Sequence, residues 1–313
     1  ITRTDSSYER VPSGGKVMAN QYGNLGIVHH MRGDLEKAEA MFHRALAIEE
    51  ALGHKAGIAN QYGNLGILSQ ARGDLDHAEE MYRKSLAITE ALGHKESMAG
   101  TYGNLGLIYQ TRDDFDQAEA MHRKALTIEE MLGHKQGMAT QYGNLGLVYQ
   151  ARDNLDQAEV MHRKALVIDE MLGHEQGMAN HCGNLGMVFR KRGDLDQAEA
   201  MFRKALAINE TLDHKEGIAG QYSSLASVFL TRGDLDQAEE MYSKALMLNE
   251  VLGSKEGVAY QHGNLGNVYW MRGDINQTRH HWQRGLDLFR QIGAKGKIEM
   301  MEGWLRDINQ KTV

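Results

Sequence analysis

The sequence predicts an all-α fold, a right-handed superhelix of seven helical hairpins closed by a C-terminal capping helix, on three observations. The first is a period. Tyr22-Gly23-Asn24-Leu25-Gly26 returns at Tyr62, Tyr102 and Tyr142, and in altered form at Cys182, Tyr222 and His262, each time forty residues on. A strict long period marks a stack of units that contact only their neighbours. The second is composition: 42% hydrophobic and 25% charged residues with a single proline, Pro12, in 313 residues, which leaves long helices uninterrupted. The third is that apolar residues recur at helical spacing twice within each copy.

In chain order, residues 1–14 read ITRTDSSYERVPSG, without the apolar spacing of a helix, and are expected to form an irregular lead segment. Residues 15–293 hold the seven copies. In the second copy Ile58, Tyr62, Leu65 and Leu68 stripe a first helix, and Leu75, Ala78, Tyr82, Leu86 and Ile88 a second. Arg72-Gly73-Asp74 joins them, supplying a terminal cation, a glycine suited to the left-handed turn and an aspartate to cap the next helix. Asp194-Leu195-Asp196-Gln197 and Asp234-Leu235-Asp236-Gln237 extend this to a capping box. Gly53, Gly93, Gly133, Gly173 and Gly253 end the second helices; Asp213 breaks that column, so a more strained turn is expected there. Residues 294–313 carry Trp304 and Leu305 beside Glu302, Arg306 and Asp307, the mixture of a capping helix and tail.

Charge and composition exclude several functions. No run of about eighteen apolar residues exists, so membrane insertion is not expected. A net charge of −7 offers no basic field for a phosphate backbone, and nucleic acid is not an expected partner. The lone Cys182 replaces a tyrosine of its column and reads as an inert buried thiol in a reducing, cytoplasmic compartment. The chain starts at Ile1 with no signal segment after it, which suggests a piece of something longer.

No motif for catalysis is present: there is no nucleophile elbow, phosphate loop or zincin spacing. His54, His94, His134, His174 and His214 share one loop column, but helices packed roughly 8 to 10 Å apart keep successive copies beyond the reach of one zinc ion. His122 and His162 replace core aromatics and are expected to be buried. Neither a metal nor a cofactor is expected. Glu79 and Arg83, Glu80 and Lys84, Glu119 and Arg123, and Glu199 and Arg203 sit four apart with the acid first, as on a solvated outer face. The arginine at 32, 72, 112, 152, 192, 232 and 272 recurs in all seven copies. Its place at a helix C-terminus accounts for it, with a carboxylate of the next hairpin as a further partner; the alternative is a seven-rung anion-binding ladder.

These residues resemble a known family. Asn-Leu-Gly in the first helix, an aromatic soon after (Tyr109, Tyr149, Phe189, Phe229, Tyr269), alanine in the second helix (Ala38, Ala78, Ala118, Ala158, Ala198, Ala238) and an aromatic four residues on (Phe42, Tyr82, Phe202, Tyr242) are similar to the tetratricopeptide repeat. The resemblance covers almost the whole chain and is greatest to the forty-residue variety of the Leu-Gly-Asn-repeat adaptors and of many bacterial regulators. Glycine stands where the usual proline follows the second helix.

The resemblance implies a non-catalytic scaffold that binds a peptide or helix of a partner protein in a concave groove lined by first helices. On this sequence the matching stripe runs through Asn60, Gly63, Ile67 and Gln70, then Leu107 and Gln110, then Leu147 and Gln150. In the last copies it becomes Asn180, Met187, Arg190 and Lys191, then Ser227 and Leu230, then Tyr260, Asn267 and Trp270. Arg190, Lys191, Tyr260 and Trp270 are the expected anchors, because aromatic and arginine side chains dominate interface hot spots. Trp270 buried under the capping helix would instead indicate a structural role. Twelve helical glycines in two columns call for close approach. The Gly26 column is expected to pack the helices of a hairpin; the Gly63 column either bares backbone on the groove floor or packs successive copies. The other functional class left open is a regulatory or sensor segment of a larger protein, and self-association remains possible.

Overall fold

The computed structural model describes residues 14–311, with side chains to residue 308, so the expected lead segment lies, Gly14 apart, outside the described residues. The described residues form fifteen α-helices and no strand. The chain divides after Arg152 into two compact parts. The first part holds α1 (Gly15–Met31), α2 (Leu35–Ala51), α3 (Lys55–Ala71), α4 (Leu75–Leu92), α5 (Lys95–Thr111), α6 (Phe115–Leu132) and α7 (Lys135–Ala151). The second holds α8 (Leu155–Leu172), α9 (Glu175–Arg192), α10 (Leu195–Thr211), α11 (Lys215–Arg232), α12 (Leu235–Val251), α13 (Lys255–Arg272), α14 (Ile275–Ile292) and α15 (Lys295–Lys311). Within each part, consecutive helices pack as antiparallel hairpins and each hairpin packs on the next.

Glycine sets the closeness of each hairpin. A Cβ on Gly26 would lie 2.5 Å from the Phe42 ring, on Gly66 2.6 Å from Tyr82, on Gly106 2.5 Å from His122 and on Gly186 2.5 Å from Phe202. The aromatic of the second helix therefore lies flat on the bare backbone of the first, as the Gly26 column predicts. Tyr82, Phe202 and His122 are fully buried there. His122 is satisfied, with Nδ1 2.9 Å from Gln141 Oε1.

At Gly23, Gly103 and Gly183 the other glycine column packs against the next copy instead. A Cβ on Gly23 would meet Gln61 at 3.3 Å, on Gly103 Gln141 at 3.2 Å and on Gly183 Gln221 at 3.2 Å. Glutamine from the following first helix thus covers this backbone in alternate copies.

Turns follow the predicted chemistry. Gly53, Gly93, Gly133, Gly173 and Gly253 all have positive φ, and Asp213 adopts φ +48° in their place, a conformation that strains a residue with a Cβ. Asp113 and Asp153 do the same in the inner turn, at φ +57° and +59°. At the predicted capping box, Asp194 accepts from the Gln197 amide N–H at 3.1 Å. The Gln197 side chain, however, returns to the Asp194 carboxylate at 2.7 Å rather than to its backbone.

The recurrent arginine and the outer-face pairs require correction. Arg112 binds Glu79 and Asp76 of the preceding hairpin, not a carboxylate of the next. Arg152 repeats this with Glu119 and Asp116, Arg192 with Glu159 and Asp156, Arg232 with Glu199 and Asp196, and Arg272 with Glu239 and Asp236. Each of these arginines is therefore already neutralised by the protein rather than set out as an anion ladder. Glu79 is not on a solvated face either: it accepts from Arg83 at 2.9 Å and from Tyr109 at 2.7 Å, and its side chain is 17% exposed. Burial opposes its charge, but the bonds from Tyr109, Arg112 and Arg83 outweigh it and bring Glu79 down to about 2. Glu80 and Lys84, 2.7 Å apart and half-exposed, are a surface pair.

A second joint was not foreseen. The position five residues before each outer-loop histidine is turned inward, where Glu49, Asp169 and Asn209 are buried. His54 lies 2.6 Å from Glu49, His174 3.1 Å from Asp169 and His214 3.0 Å from Asn209. A Cβ on Gly57, Gly177 or Gly217 would collide with these acids and amides. Where the inward residue is the smaller Thr89, the glycine is replaced by Ser97. The two positions vary together inside one chain, a signal available in the sequence.

Candidate partner-binding surface

The first helices of the N-terminal part line a cleft of about 620 Å³. Asn20 and Asn24 come from α1, Asn60 and Asn64 from α3, and Asn104 from α5, with Gln61, Ser97 and Thr101 between them. Among the described residues no lining side chain is charged. The copies register these amides because each lies on the same turn of its helix, forty residues from the last. Ile27 and Ile67 run beside them as an apolar row. Gly63 also lines the cleft, so this glycine is both near Ser85 and open to the cleft.

The predicted stripe is distributed as follows. Asn60 is exposed in the cleft, and Ile67 and Leu147 remain 43% and 42% exposed, with Leu107 half-buried. The glutamines are not bare: Gln70 accepts from Tyr82 at 3.2 Å and Gln110 donates to the Asn144 carbonyl at 3.3 Å. Gln150 is half-buried. In the C-terminal part Asn180 is exposed, and Met187 and Leu230 pack against the core. The expected anchors do not meet in one place. Arg190 donates to Ser227 at 3.2 Å and Lys191 pairs with Asp153 at 3.6 Å. Tyr260 rims a cavity of about 550 Å³ with Gly220, Ser223 and Asn264, its ring edge-on to Phe289 at 5.3 Å. Trp270 lines a different cavity and packs against the core under α15. By the exposure criterion, Tyr260 keeps the solvent contact of a binding residue and Trp270 has a structural share. Asn267 accepts from Trp282 at 3.2 Å.

Sequence reasoning missed the asparagine at 24, 64 and 104 as a surface residue, although it recurs in the motif that defines the period.

Two buried histidines in the C-terminal part, His162 and His262, are held neutral. Burial, with His281 at 3.0 Å, brings His262 down to about 4, and burial brings His162 down to about 3. Cys182 is fully buried, which pushes its thiol up. Among the described residues no helix is long and apolar enough to cross a membrane.

The MalT-like TPR region model matches residues 17–177 and the tetratricopeptide-repeat model matches residues 175–250. The chain belongs to the tetratricopeptide-repeat family. No curated protein matches it. Solved structures with the repeat fold do. BtubC (BKLC) from P. vanneervenii is 22% identical with a TM-score of 0.63, covering 70% of this chain and 92% of that one. A Rap protein complexed with competence and sporulation factor is 14% identical with a TM-score of 0.60, covering 95% and 98%. The STAND protein PH0952 from Pyrococcus horikoshii, which carries a tetratricopeptide-repeat sensor, is 14% identical with a TM-score of 0.73, covering 90% of this chain and 44% of that one. Tetratricopeptide repeats are protein-interaction folds, and at these identities the likeness concerns architecture alone.

Proposed function

We propose that this tetratricopeptide-repeat chain is a non-catalytic scaffold that holds an extended segment of a partner protein against its first helices. The observation that carries the reading is the uncharged amide lining of the N-terminal cleft, with Asn24, Asn64 and Asn104 repeating along it. An asparagine side chain both donates and accepts, which matches the N–H and C=O of a peptide unit. Helices packed roughly 8 to 10 Å apart set such side chains about three extended residues apart. A helical ligand satisfies its own backbone, so amides in a row favour an extended one over a helix. Ile27, Ile67, Leu107 and Leu147 offer apolar contact for alternate side chains, and Tyr260 a contact in the C-terminal part. The Rap protein similar to this chain is complexed with competence and sporulation factor, which supports a binding role.

A second reading, a sensor segment of a larger protein, is favoured by the likeness to PH0952, of which this chain matches under half. Both readings use the same cleft.

The test is selection of unstructured peptides from a displayed library on the full chain, followed by hydrogen exchange of the complex. Protection of α1, α3 and α5, and loss of about tenfold in affinity in Asn64→Ala and Asn104→Ala, is expected. Peptides that protect only second helices and ignore both substitutions would overturn the reading.

A further inference from the structure

Trp270, Trp282 and Trp304, all three tryptophans of the chain, come together at the end of the C-terminal part. They come from α13, α14 and α15, and with Asn267, Asp307 and Ile308 they line a cavity of about 290 Å³. Trp282 lies 6.0 Å from Trp270 at 32° and 5.2 Å from Trp304 at 40°. Neither pair is stacked flat or crossed at a right angle, so the three indoles form a curved wall. Two bonds fix the middle ring: its Nε1 donates to the Gly263 carbonyl and to Asn267 Oδ1, both at 3.2 Å. Gly266 allows this, since a Cβ there would collide with the Trp282 ring. The middle of the wall is thus fixed before any ligand arrives.

A cluster needed only to bury apolar surface would close over itself; this one leaves a cavity open beside an exposed carboxylate. Among the described residues, Asp307 is the only charged one of the lining. Indole faces attract cations through the ring quadrupole, tryptophan most of all, and aromatic walls are the known means of holding alkylammonium groups. The volume is below that of a drug-sized pocket, and suits a single functional group with the first carbons of its chain.

We propose that this cavity is a binding site for an organic cation of trimethylammonium or guanidinium size, held against the three indoles with Asp307 at its mouth. The cation comes either from a free small molecule or from a side chain of a bound protein. The site is built from other helices than the amide-lined cleft and can be tested without the cleft's partner.

Tryptophan fluorescence of the full chain reports on this cavity alone, because no other tryptophan exists. Titration uses choline, Nα-acetylarginine amide and 3,3-dimethylbutan-1-ol, the uncharged carbon isostere of choline. A saturable change with at least one cation and none with the isostere at the same concentrations is expected. The cation that binds more tightly identifies the source, choline a free molecule and the arginine amide a side chain. Asp307→Asn, an exposed position, should weaken binding roughly fivefold, and Trp304→Leu about tenfold or more. The thermal midpoint of each variant shows whether the fold persists. Equal binding of the isostere would make the cavity a plain apolar slot, and no saturable change with either cation would remove the site; either result overturns the proposal.

Discussion

The Tyr109 hydroxyl donates to the Glu79 carboxylate at 2.7 Å, from the first helix of one hairpin to the second helix of the hairpin before it. Arg112, the residue just after α5, binds the same carboxylate. Glu79→Ala therefore strips two partners across a repeat boundary as well as Arg83. A loss of about 1 kcal/mol is expected, below the usual range for a charged hydrogen bond because the site is partly wet. Glu80→Ala, its half-exposed neighbour, should leave the denaturant midpoint unchanged. The comparison of the two midpoints is the check.

Acid should destabilise the fold in two overlapping steps. Glu79 falls from an ordinary 4.5 to about 2 on folding, and Glu119, Glu159, Glu199 and Glu239 are also lowered. A carboxyl depressed in the folded state stabilises it above its unfolded value, and that contribution is lost as the pH falls through the folded one. The buried His162 and His262 are depressed from 6.5 to about 3 and about 4, so they resist protonation that the unfolded chain accepts. The sign is the same. Thermal midpoints should decline from below pH 6.5, and more steeply below pH 4.5. A midpoint constant from pH 7 to pH 4 would contradict both assignments.

Two glycines in first helices should respond to alanine with opposite signs. At Gly66 the new methyl lies 2.6 Å from the Tyr82 ring, whereas at Gly100 nothing lies within 4 Å. Overpacking should cost about 2 kcal/mol at Gly66. Gly100→Ala should instead gain about 0.5 to 1 kcal/mol through helix propensity. Equilibrium unfolding in urea measures both.

The inward joint predicts a compensated double substitution. Gly57→Ser places a side chain against the buried Glu49 carboxylate, and Glu49→Thr leaves the adjoining His54 without its partner. Together they recreate the Thr89 and Ser97 pairing that the chain already uses one copy later. The double variant should be more stable than the sum of the singles by about 1 kcal/mol or more. Strict additivity would show that the two positions do not act as one joint.

How much of this was legible in sequence depended on the distance between partners. The hairpins, their left-handed turns and the Gly26 column follow from local spacing, where glycine, aspartate and apolar residues act on their own helix or the next. The destination of Arg112 did not, because Asp76 and Glu79 lie 36 and 33 residues upstream, beyond any periodicity along one helix. The same offsets recur from Arg152 to Asp116 and Glu119 and in three later copies, so comparing copies could have revealed the contact. For the candidate surface, exposed apolar residues such as Ile67 followed from helical phase. The split of Tyr260 and Trp270 between cavities did not, since it depends on where α14 and α15 pack.

The joint around Arg112 also bears on how such a chain changes length. Every copy from the second to the sixth offers the same aspartate and glutamate to whatever follows, and each arginine from Arg112 to Arg272 asks for the same pair from whatever precedes. Removal of residues 95–134 would bring Arg152 onto Asp76 and Glu79 with its ion pairs intact, and duplication would wire an added copy without any new contact having to evolve. The connectors are interchangeable, so a binding surface of this type can gain or lose a forty-residue module in one genetic event while its side chains diverge afterwards.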